Sequence, residues 1–177
     1  MDILGDLRPV SDDYATLPVG EAFDWATAAR GLGTGEWYLV AFRSVRRPGA
    51  DEERLCHYDE MAHQEAAASA GFVHYFRGPA APDGSCLSFC LWESRADARA
   101  AAGKAAHREA VGLLHEMYAS YRLEFLRVTR AHRRAALAFA PYDAIPADAI
   151  PADAHDLPAA APGVGFVPEF LPHALPG

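Results

Sequence analysis

The stretch Trp37-Tyr38-Leu39-Val40-Ala41-Phe42-Arg43-Ser44-Val45 (WYLVAFRSV) decides the fold. It is rich in aromatic and β-branched residues and is bounded by Gly35 and Pro48, so it reads as a strand. Successive side chains of a strand point to opposite sides, and here both sides are apolar: Trp37, Leu39 and Ala41 oppose Tyr38, Val40 and Phe42. Residues 85–93 (SCLSFCLWE) repeat the pattern, with Leu87, Phe89 and Leu91 opposing Cys86, Cys90 and Trp92. A sheet with one face in water alternates with polar residues. These strands do not, so both faces of their sheet need cover.

Outward from the first strand, residues 51–70 read as a helix. It opens on acids, closes at Gly71, and carries the stripe Leu55, Tyr58, Ala62, Ala66 and Ala70. Residues 72–77 (FVHYFR) form a further strand, and the turn-rich GPAAPDG of 78–84 joins it to the 85–93 strand as an antiparallel hairpin. Ser94, with Asp97 three residues on, caps a helical stretch that Gly103 interrupts. Residues 105–118 continue as helix with Ala106, Ala110, Leu113 and Met117 on one side, and 121–129 (YRLEFLRVT) are the last strand.

The order is β-α-β-β-α-β, an α+β ferredoxin-like unit. It implies a four-stranded antiparallel sheet with both helices on one face and the other face left open. The simplest cover for the open face is a second copy of the chain, so a homodimer is expected. Residues 36–130 make this domain. Residues 1–35 read as a leader with a short helix at 21–30, making apolar contacts through Phe23, Trp25 and Ala26. Residues 131–177 hold eight prolines and the repeat AIPADAIPADA (144–154), so no long helix or internal strand is expected in this Pro/Ala-rich arm. It is either a disordered tail or an arm laid over a partner or a pocket mouth; Phe139, Tyr142, Phe166, Val167, Phe170 and Leu171 make the arm plausible.

Composition excludes several classes. Hydrophobic residues are 51% and charged residues 23%, as in ordinary globular proteins. A net charge of -8 gives no global basic field for nucleic acid or an anionic membrane. No stretch approaches the roughly 20 apolar residues of a membrane span, and the N-terminus has no signal-peptide core. Three cysteines without CxxC spacing read as free thiols in a reducing compartment, by default the cytoplasm. There is no P-loop, no GxGxxG after a strand, no GxSxG and no HExxH, which argues against nucleotide-dependent and common hydrolytic chemistry.

With this element order, the strand end Phe89, Trp92 and Ser94, then Ala98 and Ala105-Ala106-His107, resembles the antibiotic-biosynthesis monooxygenase family of the dimeric α+β barrel superfamily. The resemblance spans residues 36–130. Cys90 stands where that family usually has Glu, and Ala100 to Ala102 occupy the place of its early helical His. The resemblance implies a monooxygenase-like protein oxidising an aromatic or polyketide-like small molecule, with no metal or cofactor. The alternatives it leaves are a haem-binding relative with His107 as axial ligand, and a non-catalytic dimer that binds a small hydrophobic molecule.

The candidate catalytic residues are His107, Trp92 and Arg77. His107 shares a helix face with Val111, Leu114 and Tyr118, so it is either a core histidine or a base toward a phenol. Trp92 is a core aromatic or the wall of a flat ligand's pocket. Arg77 is a donor fork for an enolate or an interface ion pair. His74, Tyr75, Tyr118 and Phe89 are candidate substrate contacts. On the 72–77 strand His74 and Phe76 face one way, Tyr75 and Arg77 the other. Glu60 and His63 have a Glu-x-x-His spacing, but no second such motif accompanies them, so no metal is expected and they read as a solvated polar face. Cys86 and Cys90 share a strand face roughly 13 Å apart, too far for a disulfide.

Overall fold

The computed structural model describes residues 4–5 and 7–143. The elements follow the expected order. Two four-residue helices, α1 (Val19–Ala22) and α2 (Trp25–Ala28), precede strand β1 (Gly35–Arg46). Helix α3 (Glu52–Ala67) leads into the hairpin β2 (Phe72–Phe76) and β3 (Ser85–Trp92). Helices α4 (Arg95–Ala102), α5 (Ala105–Gly112) and α6 (Leu114–Met117) lead to β4 (Tyr118–Arg130) and a short β5 (Ala138–Pro141). The strands form one antiparallel sheet in the order β2-β3-β1-β4-β5. Its first four strands are the ferredoxin-like arrangement. Among the described residues no helix is long and apolar enough to cross a membrane.

Local chemistry explains the boundaries. The Asp51 carboxylate accepts the Arg54 N–H at 2.9 Å and starts α3. Gly71, at φ +70°, ends the turn that follows, where a Cβ would lie 2.4 Å from the Asp97 side chain. Ser94 Oγ accepts the Asp97 N–H at 3.2 Å and starts α4. The helix expected over 105–118 is shorter. It bends at Leu113, and Tyr118 is already extended, because it pairs with Arg46 across a register shift in β1. The helix expected over 21–30 is split. Phe23 is extended and bridges Pro9, and the Asp24 carboxylate then caps α2 by accepting from the Thr27 N–H at 3.1 Å. Ala26 is exposed rather than packed; Ala22, Ala28 and Ala29 carry the apolar contacts with Phe23 and Trp25. Of the arm, Phe139 on β5 packs against Trp25, and Tyr142 packs edge-on to Tyr38 at 4.6 Å. The 144–154 repeat and Phe166, Val167, Phe170 and Leu171 lie outside the described residues.

The main correction concerns the face expected to be open. Leu39, Ala41, Leu87, Phe89 and Leu91 lie on it, and each is at most 1% exposed. Their cover is the chain's own N-terminal segment: Leu7, Tyr14, Val19, Phe23, Trp25 and Leu32 are all buried in one cluster with them. The reason for expecting a second subunit on this face, that nothing else covers it, therefore does not hold. The described residues up to 142 form one compact unit that includes this segment.

The helix-side face is packed more loosely. Tyr38 and Trp92 are buried there with Ala98 and Ala101 of α4. Val40, Phe42, Cys90 and Phe125 on the same face are only half-buried. Helix α5 buries no residue at all. It is tied to α3 instead: the Glu65 carboxylate accepts the backbone N–H groups of Ala106 and His107 at 3.0 and 3.3 Å, and Lys104 Nζ donates to Ser69 Oγ at 2.8 Å.

Candidate functional site

The candidate site is the half-buried, helix-side face of the sheet beside α3. Alternation along β2 sends Tyr75 and Arg77 to this side, and α3 presents Asp59 to them. The Tyr75 hydroxyl donates to Asp59 Oδ1 at 2.5 Å, and the Arg77 guanidinium pairs with Oδ2 of the same carboxylate at 2.5 Å. Arg77 also donates to the Cys56 carbonyl at 3.3 Å. One carboxylate thus holds a phenol and a guanidinium in fixed positions at the edge of an aromatic cleft.

A second aromatic group lies on the same sheet face, on β1 and β4. Phe42 meets Tyr118 edge-on with ring centroids 5.3 Å apart and stacks on Tyr121 at 6.0 Å. Burial pushes the Tyr118 hydroxyl up to about 12, with smaller effects of Cys86, Arg46, Asp59 and Arg77. Tyr75 is pushed up much further, first by burial and then by the Asp59 charge. Burial also raises the Cys90 thiol, to about 12, with the Asp59 charge adding to it. Both phenols are therefore neutral hydroxyls, and Cys90 a neutral thiol, at ordinary pH. Strongly perturbed groups gathered on one half-buried face mark a candidate functional site.

The structure brings some of the sequence-nominated residues together and separates others. Tyr75 and Arg77 meet at Asp59, and Tyr118 lies on the same side of the sheet, against Phe42. Trp92 lies on the same face, 4% exposed, with Phe72 edge-on at 5.4 Å. His74 and Phe89 point to the opposite face, where both are buried and their rings lie 6.0 Å apart under the N-terminal segment. His107 is exposed on α5; the crowding of protein around it lowers its pKa, and Glu65 opposes this. The imidazole beside the cluster is that of His63, whose ring lies 4.9 Å from Tyr75 and 6.0 Å from Phe72. Of the pair read as a solvated polar face, Glu60 is exposed and bonds Gln64 at 2.9 Å, while His63 is half-buried against those rings.

Asp59 and His63 carry the cluster from α3, and the sequence reading passed over Asp59. The signal was present: Cys56, Asp59 and His63 recur at three and four residues, one helical face directed at β2.

The profile of the PB2B2.08-like family matches residues 1–140. The chain belongs to that family. No curated protein matches the sequence. Among solved structures, the chain is similar to NE2512, a protein of unknown function from Nitrosomonas europaea, at 17% identity, covering 56% of this chain and 95% of that one with a TM-score of 0.47. It is similar to SnoaB, a cofactor-independent oxygenase from Streptomyces nogalater, at 16% identity, covering 50% and 89% with a TM-score of 0.40. Rv0793 from Mycobacterium tuberculosis is similar at 17% identity, covering 57% and 100% with a TM-score of 0.45.

Proposed function

We propose that this family member is a monooxygenase-like protein that oxidises an aromatic or polyketide-like small molecule, without a metal, in the cleft between sheet and helices. The observation that carries this reading is the Asp59 carboxylate holding Tyr75 and Arg77 at the edge of a half-open aromatic surface. The strand-end pattern of Phe89, Trp92 and Ser94 supports the same chemistry by resemblance.

Electron-rich phenolates and carbanions reduce dioxygen themselves, so the protein's part is binding, deprotonation and charge stabilisation. His63 stands at the polar cluster as the imidazole that takes the substrate proton. The substrate anion passes an electron to dioxygen, the two radicals combine to a peroxide, and loss of water leaves a new carbonyl. One oxygen atom enters the product and the other leaves as water, with all the electrons drawn from the substrate. Arg77, fixed by Asp59, directs its remaining N–H groups at the developing oxyanion. The Tyr118 hydroxyl, protonated at working pH, is a second donor. Phe42, Tyr121 and the more deeply set Trp92 are the aromatic surface. Cys56, Cys86 and Cys90 are free thiols, which supports a reducing compartment such as the cytoplasm.

An oxygen electrode tests the proposal with an anthrone and a quinol as substrates. The expected result is dioxygen uptake that Arg77→Ala lowers on the order of 10²-fold, as loss of one oxyanion donor does. Absence of both uptake and binding for every such substrate would overturn it, as would full activity in Arg77→Ala.

A further inference from the structure

We infer that residues 7–32 take the place of a second copy of the chain on the apolar sheet face, as a built-in cap. The inference rests on packing alone and is independent of the proposed oxidation.

The cap is centred on Phe23. Its ring meets Tyr14 at 5.6 Å, Trp25 at 5.6 Å, Phe76 at 4.8 Å and Phe89 at 5.4 Å, each edge-on. Aromatic rings in this geometry gain beyond their area burial. The backbone of the cap is held as well. Arg43 of β1, buried beneath it, donates to the carbonyls of Ala15 and Leu17 and pairs with Glu124 at 2.6 Å. Arg130 of β4 donates from one nitrogen to the carbonyls of Ala29 and Leu32, at 2.6 and 2.8 Å. Arg130 lies opposite Gly35, at the far end of β1 from Arg43. The two latches are thus roughly 26 Å apart by strand rise. A third lies at the sheet edge, where the Tyr14 hydroxyl donates to the Pro79 carbonyl at 2.8 Å. It passes so close over Gly78 that a Cβ there would sit 2.3 Å from the hydroxyl oxygen.

This cover differs in kind from a second subunit. Two-fold pairing through the same face would set the same strand patch of each subunit against that of the other. Each Arg43 would lose the carbonyls of Ala15 and Leu17 and keep only Glu124, leaving a buried guanidinium underbonded. The cap supplies those acceptors. The PB2B2.08-like profile runs through it, from residue 1 to 140, so the cap is part of the family's domain.

Light-scattering mass and hydrogen exchange on the intact protein test the inference together. Slow exchange in 14–32, matching that of β1, is the expected result with a mass of one chain. Slow exchange with a mass of two chains also supports it, since association then uses another surface. Fast exchange in 14–32 overturns it at either mass: with two chains the partner covers the face, and with one chain nothing does. Phe23→Asp tests the masking. Exchange in 7–32 is expected to rise at least roughly tenfold, and the mass above one chain, while the sheet's circular dichroism persists. A folded Phe23→Asp protein with unchanged exchange and mass overturns the inference. If that variant does not fold, the intact protein's exchange still decides.

Discussion

The two faces of the sheet are apolar to a similar degree in sequence and packed by different means. On the capped face, Leu39, Ala41 and Leu87 are 0% exposed, and two arginines gather the backbone carbonyls of the covering segment. On the helix face, Val40, Phe42, Cys90 and Phe125 stay half-buried, and α5 leans on α3 rather than on the sheet. The first arrangement maximises burial. The second leaves apolar surface and perturbed polar groups together, which is what a ligand site requires. The lesson is that an apolar strand face demands cover without specifying it: an irregular segment closed one side, and regular helices left the other partly open.

The largest difference between the faces lies in packing energy. Phe89→Ala opens a cavity in the closed core and is expected to cost about 3–5 kcal/mol. Phe42→Ala, on the half-open face, is expected to cost only about 1 kcal/mol, in proportion to the area it buries. Urea unfolding of the two variants measures both. Equal losses would mean that the cleft face is closed as tightly as the other.

The next comparison is between two arginines. Arg43→Ala strips donors from the Ala15 and Leu17 carbonyls and removes Glu124's buried partner, leaving that carboxylate with the exposed Arg122 at 2.8 Å. A loss of roughly 3 kcal/mol is expected. Arg77→Ala breaks an ion pair whose arginine side chain is 40% exposed, so its cost is expected to stay below about 1 kcal/mol while activity falls. A Kd or rate defect without a stability defect at Arg77, and the reverse at Arg43, is the pattern to look for.

Much of this was legible from the residues. The period-2 patterns at 37–45 and 85–93, the acids opening α3 and the Ser94 cap each obey a local rule, and local rules place strands and helix starts well. Tyr75 and Arg77 were placed on one face by alternation alone. The cap was not legible as such. Its helices are four residues long, below any periodicity test, and its value lies in contacts such as Tyr14 with Pro79 that sequence spacing does not encode. Asp59 escaped for the opposite reason: an acid on an amphipathic helix looks solvated until its partner strand is known. His107 was nominated on the family resemblance and on helical spacing, and spacing cannot tell a helix that packs on the sheet from one that packs on another helix.

Alkaline pH distinguishes the faces through their tyrosines. Tyr14, a residue of the cap that is 2% exposed, is pushed from the ordinary 10.0 to about 12, first by burial and then by the neighbouring Cys86. A folded pKa raised above the unfolded one contributes stability that is complete below the unfolded value and lost as pH rises through the folded one. Between pH 10.0 and about 12 the protein should therefore lose on the order of 2 kcal/mol through Tyr14. Tyr14→Phe is expected to flatten that part of the stability profile. A profile unchanged in Tyr14→Phe would show that the hydroxyl is wet and the cap loose.

A small effect is also expected at Tyr75. Tyr75→Phe removes one donor from Asp59, which keeps Arg77 at 2.5 Å, so about 1 kcal/mol should be lost. The informative variant is Asp59→Asn. Burial is the first cause of Tyr75's raised pKa and the Asp59 charge the second, so neutralising Asp59 should lower the pKa while leaving it above the ordinary value. Tyrosinate absorbance during an alkaline titration reads this directly. A return to the ordinary value would mean that water reaches Tyr75 freely, and that the polar end of the cleft is surface rather than site.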